Sequence, residues 1–244
     1  MAAVPWTPPC PAGAALYMQQ RMSGISLLNP SDAHGRTGNG DNGLVASTAL
    51  CVWPCSRALA AALLEPPHVV DCRGLAVLEL GAGCALPGLA AWRAGASVVW
   101  LTELPENVAQ LREIAQRNGS PTTVRVEALD WTQPLPREVA QTRFDLVLGA
   151  DLVFWPALFD SLLSVLEALH GSPQILLATC SNRLGRGDDF ELRAMSRGWT
   201  LQEVMLPNSA SPKQGFDLYD FSPRLIEMAR GAGGNASRGV KVER

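Results

Sequence analysis

The stretch Val77-Leu78-Glu79-Leu80-Gly81-Ala82-Gly83-Cys84-Ala85-Leu86-Pro87-Gly88 decides the fold. An apolar run ends in a Gly-Ala-Gly turn and passes at once into a helical pattern. A buried parallel strand feeding a helix has this form. Gly81 permits a backbone conformation that other residues avoid, and Gly83 lets the chain approach a ligand with no side chain in between. The N-terminus of the following helix adds unpaired N–H groups. A ligand site is therefore expected beyond the carboxyl end of this strand.

Working outward, short apolar runs alternate with helical patterns. Strands are expected over Leu75–Leu80, Ser97–Thr102, Thr123–Ala128, Phe144–Gly149, Gln174–Thr179, Thr200–Leu206 and Phe216–Phe221. Helices are expected over Thr48–Leu64, Leu86–Arg93, Glu106–Asn118, Pro156–Leu169 and Asp188–Ser196. Pro105 and Pro156 sit at first-turn positions, where a missing N–H does no harm. Strands separated by helices pair in parallel, with helices on both faces. The first four strand runs are nearly all apolar, as burial on both faces requires. After the fifth strand the order becomes helix, strand, strand, with Pro207–Gly215 linking the last two as an antiparallel hairpin. The expected fold is α/β: a Rossmann-like, seven-strand, mostly parallel sheet with a terminal antiparallel hairpin and helices on both faces. Residues 1–43, rich in Pro, Gly, Ser and Asn, read as a flexible N-terminal segment, and 231–244 as a disordered tail.

A Gly-x-Gly turn alone also suits a nicotinamide or flavin enzyme. Three features argue for a different ligand. A dinucleotide fingerprint needs a third Gly or Ala three residues after Gly83, and that position holds Leu86. Glu79 precedes Gly81 by two residues, matching the E-x-G-x-G form of adenosylmethionine turns. The chain is also about as short as a single catalytic domain. Glu103 ends the second strand run in W-L-T-E-L-P, where a carboxylate can accept both ribose hydroxyls of an adenosyl group. Its other reading, compatible with the first, is a helix N-terminal acid stabilised by the dipole. S-adenosyl-L-methionine is the expected cofactor.

Composition bounds the partners. The 244 residues carry 20 Lys plus Arg against 23 Asp plus Glu, a net charge of −3, so no basic surface advertises nucleic acid. Six cysteines show no C-x-x-C pair, and the three histidines are scattered, so no metal site is expected. The start, M-A-A-V-P-W, does not read as a secretory leader, and no apolar run is long enough to span a membrane. The cysteines are expected as reduced thiols in a cytoplasmic, and also nuclear, protein. A monomer is expected.

Five segments in register, Val52-Trp53-Pro54-Cys55, L-E-L-G-A-G, T-E-L-P, Asp130-Trp131 and G-A-D-L-V-F at Gly149–Phe154, carry a resemblance. Across residues 44–180 the chain resembles the methyltransferase-like family of seven-strand, adenosylmethionine-dependent protein methyltransferases, in particular its lysine methyltransferase group. The methyltransferase domain is expected over 44–230, and the resemblance implies a protein substrate and transfer to a side-chain nitrogen, with lysine the leading acceptor. The V-W-P-C segment resembles a member that methylates histone arginine. By resemblance, Glu79, Gly81, Ala82, Gly83 and Glu103 hold the cofactor, Trp53 lies against it, Trp131 sits near the adenine and Ala150 beside the sulfonium. Both tryptophans also read as core anchors. Asp151 and Phe154 match the family's D-x-x-Y or D-x-x-F motif, with Asp151 holding the incoming nitrogen and Phe154 walling its path. The other reading of Asp151 is a cap for the helix near Pro156.

Two rival functions differ in class. Ala178-Thr179-Cys180-Ser181 resembles the T-C-S motif of RNA cytosine-5 methyltransferases, in which the thiolate attacks the pyrimidine. Their second motif, D-A-P-C, is replaced here by D-L-V-F, and Cys180 also reads as a small buried thiol. A non-catalytic adenosylmethionine-binding interaction protein is the other alternative.

Overall fold

A computed structural model describes residues 49, 52–118, 122–180, 187–206 and 223–230. The expected flexible segments 1–43 and 231–244, and the expected strand Phe216–Phe221, lie outside these residues. In chain order the elements are α1 (Pro54–Leu64), β1 (Ala76–Leu80), α2 (Leu86–Arg93), β2 (Val98–Glu103) and α3 (Val108–Asn118), the last entered through a 3-10 turn at Pro105–Asn107. Next come β3 (Val124–Ala128), α4 (Arg137–Gln141), β4 (Leu146–Ala150) and α5 (Phe159–Ala168), which follows a 3-10 turn at Pro156–Leu158. The series ends with β5 (Gln174–Cys180), α6 (Gly187–Ser196), β6 (Trp199–Val204) and β7 (Pro223–Arg230).

The strands form one seven-stranded sheet in the order β3-β2-β1-β4-β5-β7-β6. The first five pair in parallel, and β7 runs antiparallel between β5 and β6. Successive side chains on a strand face opposite sides, so each strand feeds two cores. Val77, Val99, Leu101, Leu148 and Leu176 pack on one face with α1 and α2. Leu78, Leu80, Trp100, Val147 and Leu177 pack on the other with α5 and α6. This double burial is why the central strands read as unbroken apolar runs.

The last strand among the described residues is Pro223–Arg230, a stretch not expected to be a strand, and its proline occupies the first strand position, where no interior ladder bond is forfeited. Arg224 pairs with Glu203 of β6 and Glu191 of α6, which is how a charged residue is accommodated between two strands. The expected antiparallel pairing of the last two strands is present.

Strand order reverses direction at β1, whose neighbours are β2 on one side and β4 on the other. Crevices at the carboxyl ends of strands at such a point take ligands.

Candidate functional site

The turn after β1 holds three departures from ordinary backbone, at alternate residues. Gly81 and Gly83 have φ of +56° and +50°, and Ala85, which caps α2, has φ of +59°. A side chain at Gly81 would place its Cβ 2.7 Å from Leu152 Cδ2 and 3.4 Å from the Trp131 ring. Gly81 is thus glycine both for conformation and for space. Gly83 has its back to the chain itself: a Cβ there would lie 3.3 Å from the Ala49 carbonyl. Cys84 Sγ also donates to that carbonyl, at 3.4 Å, so the segment ahead of α1 crosses over the turn. Ala82 sits between the two glycines, its N–H donating to the Thr102 carbonyl at 2.9 Å.

Glu103, last residue of β2, closes the turn from the side. Its Oε2 accepts the Gly83 N–H at 2.9 Å, and its Oε1 accepts the Leu104 N–H at 2.9 Å and the Asn107 amide at 3.2 Å. The carboxylate is therefore both the anchor of the glycine turn and the acid at the start of the next helix. A carboxylate offers about four acceptor positions, so three bonds leave room for a hydroxyl donor. The Glu103 carbonyl in turn accepts the Leu129 N–H at 2.8 Å, drawing the end of β3 alongside. There Asp130 folds back on Thr132, accepting from its N–H at 2.9 Å and its hydroxyl at 2.7 Å. This local turn presents Trp131 against Gly81.

Glu79 is buried behind the turn. Two residues from Val77, it shares the α2 face of the sheet, and its Oε2 accepts the Gly88 N–H at 2.8 Å beneath the helix. Burial pushes its carboxyl well above the usual carboxylate range, opposed by the Gly88 N–H and reinforced by the nearby Glu103. Gly88 is a functional residue that the sequence reading passed over. A Cβ there would lie 2.4 Å from Glu79 Oε2 and 2.4 Å from Leu101 Cδ2. The helix-to-strand packing role of a dinucleotide fingerprint's third glycine is thus served two residues later than in that pattern. The E-x-G-x-G acid holds helix to strand from behind the turn.

On the far side of the switch point, β4 ends at Ala150, which is partly exposed at the rim. Asp151 follows with φ of +59°, its N–H donating to the Ala178 carbonyl of β5 at 2.9 Å. Positive φ is uncommon outside glycine, tolerated best by Asn and Asp, and concentrates at functional sites. The side chain is buried. The cap position of the following helical turn is Trp155, whose side chain makes no capping bond. Phe154 lies near Trp155, ring centroids 6.5 Å apart and edge to face, and Trp155 is 42% exposed. Two adjacent rings therefore wall the rim, where the motif supplied one. Trp53 occupies the position just before α1, in extended conformation and partly exposed.

Beside Asp151 the fold gathers two thiols. Cys55, in the first turn of α1, and Cys180, at the end of β5, have sulfurs 3.2 Å apart, both buried. Burial, the hydrogen bond with Cys180 and the charge of Asp151 hold the Cys55 thiol well above its usual value. Cys180 thus faces a second thiol and a carboxylate inside the protein, which is a poor setting for a nucleophile that must reach a nucleobase.

Spare acceptor capacity at Glu103 and a flat Trp131 ring beside Gly81 fit the adenosyl part of a sulfonium ligand. The sheet order is that of the class I S-adenosylmethionine-dependent methyltransferase fold. The magnesium protoporphyrin IX methyltransferase of Synechocystis, a structure with bound S-adenosylhomocysteine, shares the fold at a TM-score of 0.51 and 14% identity, covering 82% of this chain and 92% of that one. The model of the lysine methyltransferase family matches residues 40–196, and the chain belongs to that family. Human histone-arginine methyltransferase METTL23 is 33% identical over 159 residues, 64% of this chain and 81% of that protein. Danio rerio protein N-lysine methyltransferase METTL21A is 34% identical over 138 residues, 55% of this chain and 62% of that protein. The cofactor is S-adenosylmethionine, and among the described residues no helix is long and apolar enough to cross a membrane.

Proposed function

We propose that the chain methylates a protein side-chain nitrogen, with lysine as the acceptor. The observation that carries this is Asp151, a buried carboxylate held at φ +59° one residue beyond the end of β4. A strained conformation at the rim of the cofactor crevice is retained only where the surroundings over-determine it, and the carboxylate is what it presents.

The cofactor supplies an electrophilic methyl on a sulfonium. Methyl transfer is an in-line displacement, so a nitrogen lone pair must be aimed at that methyl and water kept away. Asp151 accepts an N–H of the acceptor and so turns the remaining lone pair toward the methyl. A carboxylate by itself favours the charged ammonium, which has no lone pair; the apolar wall of Phe154 and Trp155 opposes this by removing the water that solvates the charge. Glu103 and the Gly81–Gly83 turn bind the adenosyl part, Trp131 covers the adenine and Trp53 closes the approach from α1. The four described cysteines are reduced thiols, in keeping with a cytoplasmic or nuclear enzyme.

Arginine is the second reading. The likeness to human METTL23 spans most of that protein, and a guanidinium matches a carboxylate in a two-pronged hydrogen bond. The test is transfer of labelled methyl from S-adenosylmethionine to proteins of a cell extract, followed by mass spectrometry of the labelled residue. Methyl-lysine is the expected product and methylarginine supports the second reading. Label confined to RNA, or binding of cofactor with no labelled product, overturns both.

A further inference from the structure

Cys55 and Cys180 stand 125 residues apart in the chain. The fold brings them together because α1 packs across the ends of β4 and β5, with Cys55 in the first turn of the helix and Cys180 the last residue of β5. Asp151 completes the group from the end of β4. The two sulfurs and a carboxylate oxygen of Asp151 all lie within 4.8 Å of one another, in residues that are 0%, 3% and 8% exposed.

Two thiols and a carboxylate converging in a buried pocket are a donor set for a thiophilic ion. Tetrahedral zinc holds sulfur at about 2.3 Å and carboxylate oxygen at about 2.0–2.2 Å, which sets ligand sulfurs roughly 3.8 Å apart. From 3.2 Å the sulfurs need to open by only about 0.6 Å. Closing to a disulfide asks for about twice that movement and gives the carboxylate no part.

We infer that Cys55, Cys180 and Asp151 form a binding site for a divalent thiophilic ion of the zinc class. On binding, each thiol gives up its proton to solvent and two sulfur–metal bonds form; the carboxylate supplies the third bond and no electron changes hands. The bound ion occupies the carboxylate that would otherwise hold the acceptor nitrogen, so metal and substrate compete and the enzyme is reversibly inhibited. That consequence rests on the substrate-side reading of Asp151; the binding of the ion does not.

The test titrates the full chain, reduced and stripped of metal, with cobalt(II), reading the thiolate-to-cobalt charge-transfer absorption, and then displaces cobalt with zinc against a chromogenic chelator. One equivalent is expected. Cys55→Ser and Cys180→Ser are each expected to weaken binding at least tenfold, since loss of even the outer hydrogen-bonding partners of a metal ligand costs roughly 10–100-fold. Cys72→Ala is expected to change nothing. Should a serine variant fold poorly, Cys55→Ala and Cys180→Ala, checked by melting without metal, are expected to lose the rise in melting temperature that zinc gives the wild type. Cobalt uptake without the charge-transfer band, or uptake that persists in both cysteine variants, overturns the site. Zinc is expected to stop methyl transfer by the wild type and to spare Cys180→Ser. If zinc binds by these criteria while transfer continues, the ion site stands and the role given to Asp151 falls.

Discussion

Gly88→Ala is expected to destabilise the protein, against the direction that helix propensity alone gives. Gly88 is the third residue of α2, where alanine should gain about 1 kcal/mol over glycine. The added Cβ would sit 2.4 Å from Glu79 Oε2 and 2.4 Å from Leu101 Cδ2, with Val99 Cγ1 at 3.2 Å. All three are groups in the sheet beneath the helix, so relief requires α2 to lift. Overpacking of this kind costs about 1–3 kcal/mol, and parting the Gly88 N–H from a buried carboxyl costs about 1–3 kcal/mol more. The net loss is about 3 kcal/mol, which for a domain of this size lowers the melting temperature by about 6–12 °C. Urea unfolding and thermal melts followed by circular dichroism measure it. Gly198→Ala is the control, because that glycine has φ of +84° but nothing within 4 Å of a Cβ; it should lose only about 1 kcal/mol to its backbone conformation. A Gly88→Ala protein as stable as wild type, or more so, would refute the packing argument.

Further outcomes follow from the same geometry. Gly81→Ala drives a Cβ into Leu152 and toward Trp131 while straining a left-handed residue, so calorimetry should show S-adenosylmethionine affinity down at least about tenfold; unchanged affinity would detach the turn from the cofactor. Glu79 carries a raised carboxyl pKa in the folded state, so the native protein holds a proton that the unfolded chain releases as pH rises past about 4.5. Stability should therefore fall as pH climbs from there toward the folded value and level off above it. Glu79→Gln keeps an oxygen for the Gly88 N–H, and its denaturant midpoint should vary less between pH 4 and 7 and exceed wild type at pH 7; identical pH profiles would sink the assignment.

The parts of the fold that were legible in the sequence are those under a single dominant constraint. The strands β1, β2, β4 and β5 are buried on both faces, so their apolar runs mark them to within two residues, whereas β3 at the sheet edge alternates, with Arg125 exposed. In α2 the boundaries Leu86–Arg93 agree with expectation because proline and glycine punctuate it. The strand Pro223–Arg230 was not legible because Arg224, Glu227 and Arg230 break its apolar pattern, their charges being met by neighbouring strands and helices. Five-residue α4 is too short to show periodicity. At the site, period-two alternation from Val77 already directs Glu79 to the α2 face, but its bond with the Gly88 N–H needs the folded helix above it. Nothing local could join Cys55 to Cys180, since only the packing of α1 over β5 makes them neighbours. The left-handed backbone at Asp151 is equally a product of tertiary structure: Leu152 folds back over Gly149, where a Cβ would lie 2.6 Å from its Cδ1.

The substrate-side carboxylate is the centre of the account, and Asp151→Asn tests it most directly. Asparagine tolerates φ of +59° as aspartate does, so the fold and the turn after β1 should be undisturbed. The measurement pairs calorimetric binding of S-adenosylmethionine with labelled methyl transfer by the same preparation. Cofactor affinity within a few-fold of wild type, with transfer reduced by about 10²–10⁴-fold, is the predicted result. Full transfer by Asp151→Asn would contradict it.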